Sequence, residues 1–431
     1  MGMRATTRMD IFLQKLKIIV GEKAIRDRIL FVLFALVIFR ILTAVPIPGV
    51  DLAVLEQFFQ NNQFLGLMNI FSGGGLSNLS IVMLGVGPFI TASIIMQLLT
   101  VMSPSLKAMY SEEGETGRAR FTQYSRQLTL PLAILQAFGF LSLLKSQGVI
   151  TGLSTFEFIL NVVIVVAGSM LLVWLGELVT EYGIGNGVSI IIFAGIVATL
   201  PATLGQLLYN FDASQIPLFA AFTLAALGII YGVVVMTQAE RQVPITYAKQ
   251  VRGGRTYGGT TSYLPLRLNQ AGVIPIIFAL SIILFPQMIL NILASFNVPH
   301  VSEWLAKVTA FFQNQELYAV VYFVLVILFT FFYTAVTFDP DAMSKNLQRN
   351  GAFIPGIRPG THTAEYLGKL ITRLTLAGAV FLGFVAVLPM AMQILTGVST
   401  LAIGGTALLI AVSVVIDLVR RVDSQVSMRQ Y

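Results

Sequence analysis

Apolar residues run along this chain in long blocks, with no sustained alternation of apolar and polar positions. Ten blocks stand out, near 29–46, 76–102, 127–144, 156–178, 188–209, 217–238, 270–293, 317–337, 374–395 and 401–418. A hydrocarbon layer is about 30 Å thick and is crossed by roughly 20 helical residues, which satisfy their own backbone hydrogen bonds. The pattern predicts an all-α integral membrane protein with ten transmembrane helices. The short alternating strands of an outer-membrane barrel are missing from the sequence.

The second block departs from the rest. The short apolar piece "FLGLMNIF" and three consecutive glycines, Gly73, Gly74 and Gly75, come just before or at its start, and Gly85, Gly87 and Pro88 break it. A plain membrane anchor needs none of these features. Two polar stretches, 239–268 and 338–373, are also unusual, being longer than common helix connections. In the first, β-branched and aromatic residues flank Gly253 and Gly254, which predicts a hairpin with a basic tip. The second begins with a short helix-like piece and continues into "PGIRPG", a turn-rich presentation of Arg358. Structured loops on a membrane core usually bind something.

Composition sharpens the class. Of 431 residues 56% are hydrophobic and only 11% charged, against about 25% charged in soluble domains. There is no cysteine, so disulfides, thiolate nucleophiles, zinc–thiolate sites and iron–sulfur clusters are excluded. His300 and His362 lie in separate polar loops, a poor basis for a metal site. No cofactor is expected. The apolar run from Ile29 continues to Ile47 without a small-residue cleavage site, so the N-terminus reads as retained.

The basic residues orient the spans. Arg4, Arg8, Lys15, Lys17, Lys23, Arg26 and Arg28 precede span 1. Lys107, Arg118, Arg120 and Arg126 follow span 2. Arg241, Lys249, Arg252, Arg255 and Arg267 follow span 6. Lys345, Arg349, Arg358, Lys369 and Arg373 follow span 8, and Arg420, Arg421 and Arg429 close the chain. All but three of the 27 Lys and Arg thus fall on one side. Lys145 and Lys307 are opposite, and Arg40 lies inside span 1. By the positive-inside rule that side is cytoplasmic and holds both termini. An even span count agrees. The net charge of +7 suits attraction to anionic lipid, or docking of a large acidic partner such as a ribosome.

Catalytic chemistry is scarce. Glu157, Glu177 and Asp417 lie near span ends, where charge is cheap, and none is at mid-membrane, where an ion-coupled transporter keeps such groups. "GIGNG" (Gly183 to Gly187) lacks the strand and the Lys-Ser/Thr of a phosphate loop. It reads as a tight turn capped by Asn186 or Ser189, or as a partner contact. Thr91, Ser93, Gln97, Ser169, Asn269 and Ser281 are among the neutral polar groups within or beside the spans. Such groups hold helices together or line an aqueous path. Val86, Ile90, Ser93 and Gln97 share one face of span 2, which fits a funnel with an oily neck and ordinary helix packing equally. No catalytic residue is expected.

"GVGPFITASIIMQLLT", "GIGNGVSIIIFAGIV", "AGVIPIIFALSIILFP", "GAFIPGIRPG" and "GGTALLI", in this order, resemble the bacterial SecY family, the channel subunits of the Sec translocon. The resemblance runs from about residue 10 to 425. It implies two inverted halves of five spans, 1–209 and 210–431, hinged at "FDASQIP" (Phe211 to Pro217). It also implies a plug at about 64–75, comprising Phe64, Leu65, Leu67, Met68, Ile70 and Phe71 with Gly73, Gly74 and Gly75 as a flexible link. The implied pore ring is Val86, Ile90, Val188, Ile192, Ile277 and Ile410. Valine stands at two of these positions where isoleucine is the family norm. The implied lateral gate parts spans 2 and 3 from 7 and 8, with Ile94, Gln97 and Asn269 on it. Arg252, Arg255, Arg349 and Arg358 match the docking surface for the motor ATPase SecA and for ribosomes. Further implied partners are the small subunits SecE and SecG, unfolded preprotein with its signal sequence, and anionic lipids. The implied function is a protein-conducting channel of the bacterial cytoplasmic membrane, with no enzyme activity of its own. The alternative is a secondary transporter of small solutes.

Overall fold

The computed structural model describes residues 21–48, 69, 72–111, 113–146, 148–150, 152, 154–209, 216–247, 250–252, 255–257, 261–295, 301–396 and 400–430. Helices dominate. In chain order they are α1 (Lys23–Ala44), α2 (Gly87–Met102), α3 (Pro104–Ser111), α4 (Gly114–Ser146), α5 (Thr155–Tyr182), α6 (Gly187–Tyr209) and α7 (Ile216–Gln238). After a β-region come α8 (Ile274–Ser295), α9 (Val301–Gln313), α10 (Gln315–Thr337), α11 (Pro340–Arg349), α12 (Thr361–Thr396) and α13 (Thr400–Gln430). Among the described residues four stretches are helical, long and apolar enough to cross a membrane: Gly114–Lys145, Thr155–Tyr182, Glu316–Arg349 and Thr361–Leu388. A fifth is obtained if the pair Gly87–Met102 and Pro104–Tyr110, bent by 118°, is counted as one crossing.

The second apolar block is not the continuous helix expected over 76–102. Residues 72–86 form successive turns, and α2 begins only at Gly87, with Pro88 at its start. Proline is welcome there because the first helical N–H groups have no partner anyway. The turns are nonetheless buried: Leu76, Leu79, Val82, Met83 and Val86 are almost fully covered. Irregular backbone survives inside a membrane protein only if its polar groups find partners. Here they do. The Ile47 N–H donates to the Leu79 carbonyl (2.8 Å), that of Ile81 to Val45 (3.0 Å), and Ser169 Oγ donates to the Gly85 carbonyl (2.8 Å). Gly168 makes this approach possible, since a methyl group there would collide with the Ile81 carbonyl.

Two seams join the first six helices to the rest. At one, α2 and α4 pack on α8, and α2 also meets α10. At the other, α6 packs on α13. The largest buried cluster spans both, drawing on α1, the turn before α2, α2, α5, α6, α8, α10, α12 and α13. A second cluster lies within the N-terminal portion, where Leu76, Leu79 and Met83 meet Phe140, Leu141 and Leu144 of α4 and Val162 and Val165 of α5.

The hairpin expected after α7 is present and has two tiers. β1 (Glu240–Tyr247) pairs antiparallel with β4 (Thr261–Arg267). β2 (Gln250–Arg252) pairs with β3 (Arg255–Tyr257), placing Arg252 opposite Arg255 across the two glycines. The sequence pattern missed a third strand. β5 (Ala352–Phe353), from the loop after α10, pairs with the other edge of β1, Thr246 facing Phe353. The two long loops therefore share one sheet. Its Val243 and Leu266 pack with Ile354 on Leu367 and Ile371 of α12. At 36 residues, α12 is about 54 Å long by helical rise, well beyond the thickness of a bilayer core.

Candidate functional site

The six aliphatic residues of the expected ring lie in or against one large buried cluster. Val86 caps α2 and Ile90 lies one turn in, its N–H donating to the Val86 carbonyl at 3.1 Å. Val188 and Ile192 occupy the first two turns of α6, Ile277 the first turn of α8, and Ile410 the middle of α13. Val86, Ile90, Ile192, Ile277 and Ile410 are buried in the single large cluster, and Val188 is half-buried against it. Burial does not single these six out, because Ile191, Ile196 and Ile276 are covered as completely.

The start of α6 is set by local chemistry. "GIGNG" is the tight turn read from the sequence. Asn186 Oδ1 accepts from the Ser189 N–H (3.2 Å), capping α6, and Thr180 Oγ1 accepts from the Gly187 N–H (2.8 Å). Asparagine is a preferred cap for this reason. Gly187 abuts the Gly176 carbonyl so closely that no side chain fits. Val188 is therefore pressed against α5.

Of the expected plug, Phe64, Leu65, Leu67, Met68, Ile70 and Phe71 lie outside the described residues. The glycines that follow are described, and they are held firmly. Gly73 and Gly74 have φ of +68° and +83°, a region that disfavours side chains. Gly73 is wedged between the Phe39 ring of α1 and the backbone of Gly195 of α6. Arg40 Nη1 donates to its carbonyl at 3.1 Å. A loose link was expected at Gly73 to Gly75. The structure has a clamped one, because left-handed geometry and close approach, as well as flexibility, require glycine.

At the first seam Ile94 is buried in the main cluster. Gln97, also on α2, has a buried Oε1 with no hydrogen-bond donor, and so does the Oδ1 of Asn269, just before α8. Asn269 Nδ2 donates to the Gly272 carbonyl (3.3 Å). The two amides are not bonded to each other. An unpaired buried acceptor costs about 1–3 kcal/mol, which each of these amides imposes where it is buried.

Arg358 is exposed on an ordered turn. Its carbonyl accepts from Thr363 Oγ1 (2.9 Å), Ser344 Oγ donates to the Gly360 carbonyl (2.6 Å), and Ile354 and Ile357 anchor the turn in the cluster under the sheet. Arg349, also exposed, ends α11 nearby. Arg252 and Arg255 sit opposite each other at the tip of the β2–β3 hairpin. Arg349 and Arg358 flank β5 of the shared sheet, whereas Arg252 and Arg255 are on a separate two-stranded sheet. Among the described residues no cluster of His, Asp and Glu has metal-holding geometry.

Residues 80–419 match the SecY family model. The protein translocase subunit SecY of Mycobacterium leprae is 43% identical over 427 residues, covering 94% of this chain and 96% of that protein. The chain belongs to the SecY family. The SecY of Escherichia coli K12, also named a protein translocase subunit, is 42% identical over 420 residues, 95% of this chain and 94% of its own length. With several helices able to cross a bilayer, this SecY-family chain is a multi-pass membrane protein. Solved structures share the fold. One described as a protein-conducting channel has a TM-score of 0.64 at 20% identity, over 93% of this chain and 92% of its own. Another, concerned with the plug domain of SecY stabilising the closed state and maintaining a membrane seal, has a TM-score of 0.65 at 20% identity, with the same coverage. Sec61 in a canine ribosome–channel complex has a TM-score of 0.59 at 19% identity, over 93% and 92%.

Proposed function

We propose that this chain is the protein-conducting channel of a Sec translocase. It passes unfolded preproteins outward across the bacterial cytoplasmic membrane and releases apolar segments sideways into lipid. What supports this reading is that Val86, Ile90, Val188, Ile192, Ile277 and Ile410 all lie in or against one buried cluster, in a chain whose relatives are translocase subunits. An aliphatic constriction dewets and resists ions, yet yields to a passing side chain without binding it. The name shared by those relatives gives no support to the small-solute alternative.

The finer architecture belongs to the same proposal. Ten crossings fall into two inverted halves, 1–209 and 210–431, with both termini in the cytoplasm. Residues 64–75 plug the ring from outside, the clamp on Gly73 setting the position of the plug. The seam of α2 and α4 against α8 and α10 is the lateral gate, with Ile94, Gln97 and Asn269 on it. Arg252, Arg255, Arg349 and Arg358 form a cytoplasmic docking surface for the motor SecA and for ribosomes, SecE and SecG brace the two halves, and anionic lipids meet the basic loops. Energy comes from these partners, and the chain itself catalyses nothing.

Ion conductance of the purified channel in planar bilayers tests the reading. Ile90→Asn, or deletion of Phe64 to Gly75, is expected to raise resting conductance at least about tenfold, since an amide in the ring wets it. Resting conductance equal to that of the parent in both variants overturns the seal.

A further inference from the structure

Lys145 and Lys307 stand apart from the other basic residues, on the outer side of the membrane by the basic-loop orientation. Each is stacked on an aromatic ring. Lys145 Nζ lies 5.6 Å from the centre of the Phe158 ring, and Lys307 Nζ 5.0 Å from that of Trp304. Both lysines are exposed. Among the described residues neither has a carboxylate partner. A ring face steadies an ammonium group and consumes none of its three N–H donors in a conventional hydrogen bond.

Lys307 and Trp304 belong to α9, whose 13 residues are too few to cross a membrane. Trp304, Val308 and Phe311 follow one side of this helix. Val308 and Phe311 are half-buried, and the Phe311 ring meets that of Tyr318 on α10 at 6.2 Å between centres. Trp304 carries the same apolar side past the edge of the protein and is 60% exposed. Glu303, Ala306 and Ala310 are exposed on the other side.

The neighbouring helix indicates what covers Trp304. Leu317, Val320, Val324 and Leu328 of α10 are exposed and form a stripe at helical spacing, on a stretch apolar enough to cross a membrane. In a multi-pass protein such a stripe faces acyl chains. It begins four residues after α9 ends, about 6 Å by helical rise. The end of α9 thus lies where the lipid-facing surface starts. The N-terminal portion repeats the arrangement. Exposed Phe156, Ile159 and Val163 begin the stripe of α5, beside Phe158 and its lysine.

An occupant that suits this patch brings hydrocarbon to the indole and anionic oxygens to the ammonium. A phospholipid brings both. We propose that α9 is an anchor in the outer headgroup layer, with Trp304 at the acyl boundary and Lys307 on the phosphate of an outer-leaflet phospholipid. The anchor pins the outer ends of α8 and α10, which α9 joins. The proposal rests on the membrane orientation in the channel reading above.

The test uses the full translocase in vesicles of phosphatidylethanolamine and phosphatidylglycerol. This chain has two tryptophans, so the difference between the Trp174→Phe and Trp174→Phe/Trp304→Phe forms is the emission of Trp304. Lipids brominated near the headgroup should quench it at least about twice as strongly as lipids brominated near the chain ends, given the shallow seat of interfacial helices. No quenching by either, as for a site covered by water or by another protein, overturns the anchor, and so does stronger quenching from the chain ends. A phosphatidylglycerol with a photoreactive headgroup should cross-link to α9 at least about fivefold less in Lys307→Glu, the scale of one basic residue at an anionic surface. Lys307→Arg should keep the parental yield. Equal yields in parent and Lys307→Glu overturn the phosphate contact. The chain has no cysteine, so Ala306→Cys reports sidedness to a membrane-impermeant maleimide. Modification from the outside is expected. Modification only from the cytoplasmic side overturns the orientation in the channel reading, whereas correct sidedness without quenching overturns the anchor alone.

Discussion

Lys107 Nζ lies 3.6 Å from Asp339 Oδ2, and the two residues sit on opposite sides of a seam. Lys107 is on α3, directly after α2, while Asp339 directly follows α10. Asp339 also caps α11, its Oδ1 accepting from the N–H groups of Asp341 (3.0 Å) and Ala342 (3.1 Å). The pair therefore ties together the ends of two helices that the gate proposal requires to separate. Their side chains are 62% and 34% exposed, so the tie is worth about 0.2–1 kcal/mol. Lys107→Ala, and Asp339→Ser, which retains a capping oxygen, should each raise membrane insertion of marginally apolar segments two- to fivefold, about the factor that energy allows. The gain should vanish in about 1 M salt, where the screening length is near 3 Å. Carbonate-resistant insertion measured in vesicles checks it, and equal insertion at low salt removes the tie from the gate.

Gln97 makes the opposite prediction. Under the gate proposal, its unpaired Oε1 penalises the closed seam. Gln97→Leu should stabilise closure by about 1 kcal/mol, at the low end of the cost of a buried unpaired acceptor. Insertion of marginal segments should fall several-fold, while strongly apolar segments still insert. A fall that is uniform across segments of all hydrophobicities contradicts a role specific to the seam.

The buried turns before α2 depend on their glycine neighbour. Gly168→Ala drives a methyl into the Ile81 carbonyl and should lower the thermal unfolding midpoint in detergent, at a cost of about 1–3 kcal/mol from overpacking. Gly205→Ala, on α6, meets open space and should raise it slightly, by up to about 1 kcal/mol of helix propensity. Equal shifts at both sites refute the close-approach account.

Arg358 is presented on a turn fixed by Thr363, Ser344 and the cluster under the sheet. Arg358→Glu should cut SecA-driven translocation at least about tenfold, the scale of a lost and reversed interfacial charge pair. Accumulation of the protein in the membrane should be unaffected. Translocation at the parental rate removes Arg358 from the docking surface.

Much of this was legible in the residues. Long apolar blocks marked most of the helices, the glycines at 253 and 254 marked the hairpin tip, and Asn186 marked the cap of α6. The motif order pointed to the family. What escaped depends on tertiary partners. The break at residues 72–86 was hinted at by Gly85, Gly87 and Pro88, but its buried backbone is stable only because Ser169, Val45 and Ile47 bond to it. The clamp on Gly73 requires Phe39, Arg40 and Gly195, far apart in the chain. β5 is two residues long, too short for any strand signal, and only β1 gives it a partner.

That pairing has a mechanical consequence. β1 and β4 connect α7 to α8, and β5 lies between α11 and α12, so both polar excursions are stitched to a single rigid paddle. A force on either excursion is shared through β1 and β5 and reaches the helices that follow them in the chain, α8 and α12.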